Sequence, residues 1–364
     1  MTGTPNGPVT ETPNGPVTVK SNSPVTGTVR RPLAALVAAL GVLAVLCLLS
    51  LALGARQIPP GQVLEALSGH ARDAGVENIV WSVRVPRTLL GLLAGAALGL
   101  SGALMQALTR NPLADPGLLG VSAGAAFAVV LSVALLGIAT IAGFIWFAFA
   151  GALTASVVVY LLSGLGPGGT TPVKLALAGV AVTFMLSSLT SAIVLIDPES
   201  LNRYRFWSAG SLAGQNTQVL LQILPFLAAG TLLALASAPA LNSIALGDDI
   251  ATALGRRVGL VRFQGAVAVT LLTGGAVAVI GPVVFVGLVV PHVARVFARY
   301  GGAETDHRWL LPLSMLLAPC LLLAADIAGR MIAPPAEIQA GLIVAFIGGP
   351  FFVALVRRRR LAEI

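Results

Sequence analysis

The chain has 364 residues, 56% of them apolar and only 10% charged, with a mean hydropathy of +0.92. Soluble domains carry roughly 25% charged residues, and so small a polar supply cannot cover a water-facing surface of this size, which excludes a soluble enzyme and leaves an integral membrane protein. The net charge of +8 does not imply a nucleic-acid partner, because the basic residues stand between long neutral runs and form no patch.

Residues 1–29 differ from everything after them. TPNGPVT occurs at 4–10 and again at 12–18, and a shortened SPVT follows at 23–26. Two short polar copies rich in Pro, Gly and Thr offer no apolar face, so a disordered tail is expected over 1–31 and a membrane domain over 32–360. Arg30-Arg31 then lead into a charge-free stretch from Pro32 to Ala55. A secretory signal has an apolar core of roughly 7–15 residues. The longer run here suits a helix crossing ~30 Å of hydrocarbon, so a retained first span is expected.

Further spans follow from where charges stop. Between Thr88 and Ser163 the only charges are Arg110 and Asp115, and 175–196, 206–247, 263–294, 309–325 and 338–356 carry no Asp, Glu, Lys or Arg. Turn signals at Asn111-Pro112, Gly137, Gly166-Pro167-Gly168-Gly169 and Gly281-Pro282 divide the longer runs. The expected fold is all-α and polytopic, with ten helices at about 33–54, 88–108, 117–136, 139–163, 173–196, 219–237, 263–280, 283–299, 309–329 and 338–356. No period-two alternation suggests a barrel. With the N-terminus inside, alternation puts Lys20, Arg30, Arg31, Arg110, Lys174, Arg256, Arg257, Arg262, Arg295, Arg299, Arg308 and Arg357 to Arg360 on the inner side, fifteen of the 22 basic residues. The other seven, Arg56, Arg72, Arg84, Arg87, Arg203, Arg205 and Arg330, fall outside. That bias predicts both termini in the cytoplasm of a cell-membrane protein.

Within the spans, Gly91, Gly95 and Gly99 recur every four residues on one helix face, a pattern that lets two backbones approach closely. Arg110-Asn111-Pro112 ends that helix, and Asp115-Pro116 reads as a cap opening the next. ALGDDIATALGRRV, near 245–258, reads as a short amphipathic inner helix, with Asp248 and Asp249 at its start and Arg256-Arg257 at its end, in line with the helix dipole. Cys47 and Cys320 sit in apolar runs as small packing residues, so neither a disulfide nor a metal site is expected. Asp326 and His292 are the ionisable groups nearest span interiors; each stands near a span end, where a structural hydrogen bond is the expected role ahead of a proton relay. No G-x-x-x-x-G-K-[ST] phosphate loop occurs, so no ATP chemistry, enzymatic reaction or cofactor is expected in this chain.

Several stretches resemble the permease subunits of metal-chelate ABC importers, the family handling ferric siderophores, haem and vitamin B12. They are VRVPRTLLGLLAGAALGLSGALMQALTRNPLADPGLLGVSAGA at 83–125, FWSAGSL at 206–212, ALGDDIATALG at 245–255, GPVVFVGLVVPHVAR at 281–295, DHRWLLP at 306–312, ADIAGR at 325–330 and IGGPFFVALVRRR at 347–359. The likeness is strongest to the ferric enterobactin branch and covers about 33–360. It implies two ten-helix subunits (a related partner or a second copy) around a central path, two cytoplasmic ATPase subunits, an extracytoplasmic binding protein and ferric chelate cargo. It maps Arg84, Arg87 and Arg330 onto arginines that dock the binding protein. For Arg84 and Arg87 the competing role is interfacial anchoring; Arg330 could instead pair with Asp326 four residues earlier. It makes Leu246, Gly247, Asp248, Asp249, Ala251, Leu254 and Gly255 the ATPase-coupling segment, with the small and apolar members as docking face. Gln106, Asn111, Pro112, Asp115, Pro291 and His292 match family signatures of structural or path type. The resemblance also places the inner gate at the fifth span and the loop before it, where Pro172 departs from the small hydroxyl pattern. The alternatives are a haem or vitamin B12 permease, an ion-coupled secondary carrier and a non-transporting scaffold; the scarcity of midplane acids argues against the carrier.

Overall fold

The computed structural model describes residues 30–54, 56–138, 140–165, 170–214, 217–300, 305–334 and 336–358. The tail expected over 1–31 therefore lies, up to residue 29, outside the described residues, as does the turn signal at 166–169. Arg30 and Arg31 already belong to the first helix.

All regular structure among the described residues is helical. In chain order the helices are α1 (Arg30–Ala52), α2 (Pro60–Leu67), α3 (Ala74–Ile79), α4 (Val85–Thr109), α5 (Val121–Leu136), α6 (Ile141–Gly164), α7 (Pro172–Ile196) and α8 (Pro198–Ser208). They continue with α9 (Thr217–Ala236), α10 (Ala238–Ala245), α11 (Asp248–Ala253), α12 (Val258–Ile280), α13 (Val286–Tyr300), α14 (His307–Ile332) and α15 (Ala340–Arg358). Helices α1, α4, α5, α6, α7, α9, α12, α13, α14 and α15 match the ten expected spans to within a few residues. Among the described residues, seven helices are long and apolar enough to cross a bilayer and two shorter apolar ones accompany them, so the chain is a multi-pass membrane protein.

The starts of the helices follow from short polar residues that accept orphan N–H groups. Thr140 caps α6, Thr171 caps α7 ahead of Pro172, and Asp197 caps α8 by accepting from the N–H groups of Glu199 and Ser200. Asp115 does not open α5 directly. It caps a single 3-10 turn, Pro116–Leu119, and α5 begins after Gly120, four residues later than expected.

Helices α4, α12 and α14 form the centre. Of the most apolar window in each, 78%, 72% and 67% of residues are buried, against 11% for α1 and 17% for α7. Lipid is as apolar as a leucine core, so packing shape decides the contact. The glycine face of α4 meets α14 as expected: a Cβ on Gly95 would lie 2.6 Å from the Pro319 Cα, and one on Gly99 would lie 2.4 Å from the Ser314 carbonyl oxygen. The tightest approach on α4 is one that spacing alone does not single out, Gly102 against Gly287 of α13, where a Cβ would lie 2.1 Å from the Gly287 oxygen. Cys47 and Cys320 pack with Leu43, Leu46 and Leu323 between α1 and α14, as small apolar side chains.

One span is shorter than its sequence implies. α13 starts at Val286, where 283 is expected, and its 15 residues reach roughly 22 Å. Residues 281–285 instead run non-helically, fastened by the Ser211 N–H on the Ile280 carbonyl at 2.8 Å. The segment ends at Phe285 with φ 69°, a conformation that a bulky residue rarely adopts.

Candidate functional site

The bundle has two polar ends. One gathers the end of α1, the start of α4, the end of α14 and Glu337. The other gathers the end of α4, helices α10 and α11, and the starts of α12 and α14. These are the sets that alternation assigns to outside and inside respectively.

At the first end the structure brings Arg84, Arg87 and Arg330 together, but as buried groups. Arg87 is 7% exposed and Asp326 1% exposed. The Arg87 Nε donates to both carboxylate oxygens of Asp326, at 3.1 and 3.0 Å, and its Nη2 donates at 2.8 Å. Its Nη1 reaches Glu337 at 2.8 Å. Arg330, one turn beyond Asp326, pairs with the same carboxylate at 3.0 Å and donates to the carbonyls of Ser50 and Leu53 at 3.0 and 2.8 Å. Arg84 donates to the carbonyls of Leu51 and Arg56. The last carbonyls of a helix have no partner inside it. Arg84 and Arg330 supply those partners for α1 from two neighbouring helices, so the cluster clamps α1 to the core. In this conformation the three guanidinium groups are all engaged by acceptors within the chain. Pairing of Arg330 with Asp326 was foreseeable from the four-residue spacing. Glu337, Ser50 and Thr88, whose hydroxyl lies 2.8 Å from that of Ser50, were missed.

At the second end, α11 is shorter than the expected 245–258 segment, ending at Ala253 with Gly255 in the left-handed region. Leu246, Ile250 and Leu254 recur every four residues and are 61%, 51% and 60% exposed. They form an apolar stripe pointing away from the bundle. Two expectations change here. Ala251 is fully buried and holds α11 down, so it lies off the exposed face; Ile250, not singled out before, lies on it. Asp248 also faces inward, 2.8 Å from Arg262 and 3.3 Å from Arg110, while Asp249 is exposed.

Of the signature residues, Gln106, Pro112 and His292 line a cavity of about 1090 Å³ beside α11. Gln106, Arg110, Pro112, Gly247, His292 and Arg295 are on its wall, and no carboxylate is among its described lining residues. Gln106 is buried and donates to the carbonyls of Gly287 and Leu288, both at 3.3 Å, holding α4 to the start of α13. The Arg295 guanidinium lies 3.0 Å from Nδ1 of His292. Asn111 accepts the Leu113 N–H at 2.9 Å in a turn, and Pro291 lies inside α13. Burial pushes the Asp115 carboxyl above the usual carboxylate range, opposed by the Gly117 N–H that it accepts.

Comparison with known proteins agrees with this architecture. The chain is 51% identical over 312 residues to the ferric enterobactin transport system permease protein FepD of Escherichia coli (strain K12), covering 85% of this chain and 91% of that relative. It is 40% identical over 280 residues to a probable siderophore transport system permease protein, YfiZ, of Bacillus subtilis (strain 168), covering 77% and 83%. A solved metal-chelate type ABC transporter in an inward-facing conformation matches with a TM-score of 0.78 and 28% identity over 90% of this chain and 99% of that one. The model of the FecCD transport family matches residues 42–358. With the fold, the order of its motifs and this match over most of its length, the chain belongs to the FecCD transport family.

Proposed function

We propose that this chain is the membrane-spanning permease of an ABC importer for a ferric siderophore, of the catecholate type, working by alternating access. The observation that carries the reading is the 51% identity over 312 residues to a ferric enterobactin permease. Two cytoplasmic ATPase subunits supply the energy, and the stripe of Leu246, Ile250 and Leu254 is the face that one of them grips: three large apolar side chains exposed at one end of a bundle need a partner. A second permease subunit completes the path. An extracytoplasmic binding protein delivers the chelate at the opposite end, where Arg84, Arg87 and Arg330 shape the rim on which it docks. The basic residues assign both termini to the cytoplasm, and the basic lining of the inner cavity suits an anionic cargo.

The test is uptake of radiolabelled ferric chelates by a strain lacking the gene. Complementation restores accumulation of a ferric catecholate and not of a ferric hydroxamate or of haem. Restored haem uptake without siderophore uptake would transfer the reading to a haem permease. Accumulation that survives ATP depletion but collapses with an uncoupler would replace it with an ion-coupled carrier.

A further inference from the structure

Helix α11 has a glycine of positive φ at each end, Gly247 at 112° and Gly255 at 77°, and a Cβ at either position would meet open space. Glycine is therefore there for backbone conformation and not for packing. A six-residue helix between two such joints can tilt as one piece. Its first side chain, Asp248, turns away from the exposed stripe and joins two other segments. Its carboxylate accepts from Arg262 of α12 at 2.8 Å and lies 3.3 Å from Arg110, the left-handed residue that ends α4. Arg262 then reaches in the other direction. Its Nη1 donates to the Thr170 carbonyl at 3.4 Å, one residue before Thr171, the cap of α7. Helix α7 is among the least buried in the bundle.

From this geometry we infer that Arg262 is a positioning residue that transmits displacement of α11 to the start of α7, with Asp248 as its grip on the moving helix. A half-exposed ion pair adds little stability by itself. A guanidinium that holds a carboxylate on one side and a loop carbonyl on the other instead ties two segments that share no packed surface. The inference rests on the reading of α11 as the ATPase-docking helix.

The permease is co-purified with its ATPase and second permease subunit and reconstituted in vesicles with binding protein, and uptake per ATP hydrolysed is measured. Arg262→Gln leaves the subunits assembled and hydrolysis stimulated, while uptake per ATP falls at least tenfold. In the charge-reversed pair Asp248→Arg/Arg262→Asp the ion pair is restored but residue 262 can no longer donate to Thr170, so uptake stays low. Recovery of uptake in that pair, or unchanged uptake per ATP in Arg262→Gln, overturns the inference. A spin label at Val173, exposed at the start of α7, gives a second readout: its mobility responds to nucleotide in the wild type and stops responding in Arg262→Gln. The docking reading fails separately, if Leu246→Asn/Ile250→Asn/Leu254→Asn still co-purifies the ATPase in full.

Discussion

Removing the carboxylate at the centre of the outer cluster should be among the most damaging isosteric changes available to this chain. Asp326→Asn takes the directly paired carboxylate from Arg330 and the better-placed one from Arg87, both nearly buried. Breaking a buried ion pair from one side costs roughly 3–5 kcal/mol, because the remaining charge is left uncompensated. Arg87 keeps Glu337 at 2.8 Å, and Arg330 keeps the Ser50 and Leu53 carbonyls, so the loss belongs at the lower end, about 3 kcal/mol. The assay is thermal unfolding of the purified chain in detergent, followed by tryptophan fluorescence, for Asp326→Asn, Arg87→Gln and the double variant. Each single change lowers the melting temperature by several degrees. The double costs less than the sum, since each single variant already breaks the shared interaction. Strict additivity, or a melting temperature for Asp326→Asn equal to that of the wild type, would refute the clamp.

Two other perturbations follow from the same structure. Gly102→Ala places a methyl group 2.1 Å from the Gly287 carbonyl oxygen, with backbone and no flexible side chain in the way. Overpacking of this kind costs about 1–3 kcal/mol, and thermal unfolding should show it, with Gly102→Val worse than Gly102→Ala. The Ser200 hydroxyl and N–H, with the Glu199 N–H, hold the Asp197 carboxyl below the usual carboxylate range. The unfolded value is higher, so the cap is fully present above about pH 4 and is lost as pH falls through the depressed folded value. The protection factor of the α8 amides, with the intrinsic pH dependence of exchange divided out, should therefore fall in strong acid for the wild type, and be low and pH-insensitive in that range for Asp197→Ala.

The spans were legible because a bilayer imposes a length and expels charge, and both constraints are written along the chain. The Gly91, Gly95 and Gly99 face was legible for the same reason, since its period is local. What was not legible is set by contacts remote in sequence. Arg87 and Asp326 are 239 residues apart, and nothing in either segment marks them as partners. The short outer helices α2, α3 and α8 were missed because they are neither long nor apolar. On α11 the phase was misread: small residues suggested a docking face, whereas Ala251 is small because it is buried against the bundle and Ile250 is large because it is not. The short α13 was hidden because residues 281–285 are as apolar as the helix they precede.

The two ends handle charge in opposite ways, and that contrast bears on what can move. At the end holding Asp326, guanidinium groups are desolvated and saturated, with Asp326 held between Arg87 and Arg330 and the end of α1 capped by Arg84, just before α4, and by Arg330 of α14. An acid held by two arginines is poorly suited to passing protons, because each protonation would break two ion pairs in a dry environment. At the α11 end the pairs of Asp248 are partly exposed, the helix carrying it is jointed by glycines, and Ile250 with the flanking Leu246 and Leu254 is exposed. Conformational work enters most cheaply where charges are still solvated and the backbone has joints. On the proposed reading, a bundle built this way takes its driving force at the α11 end from the ATPase, and the rigid arginine cluster keeps the opposite rim in register while that force is applied.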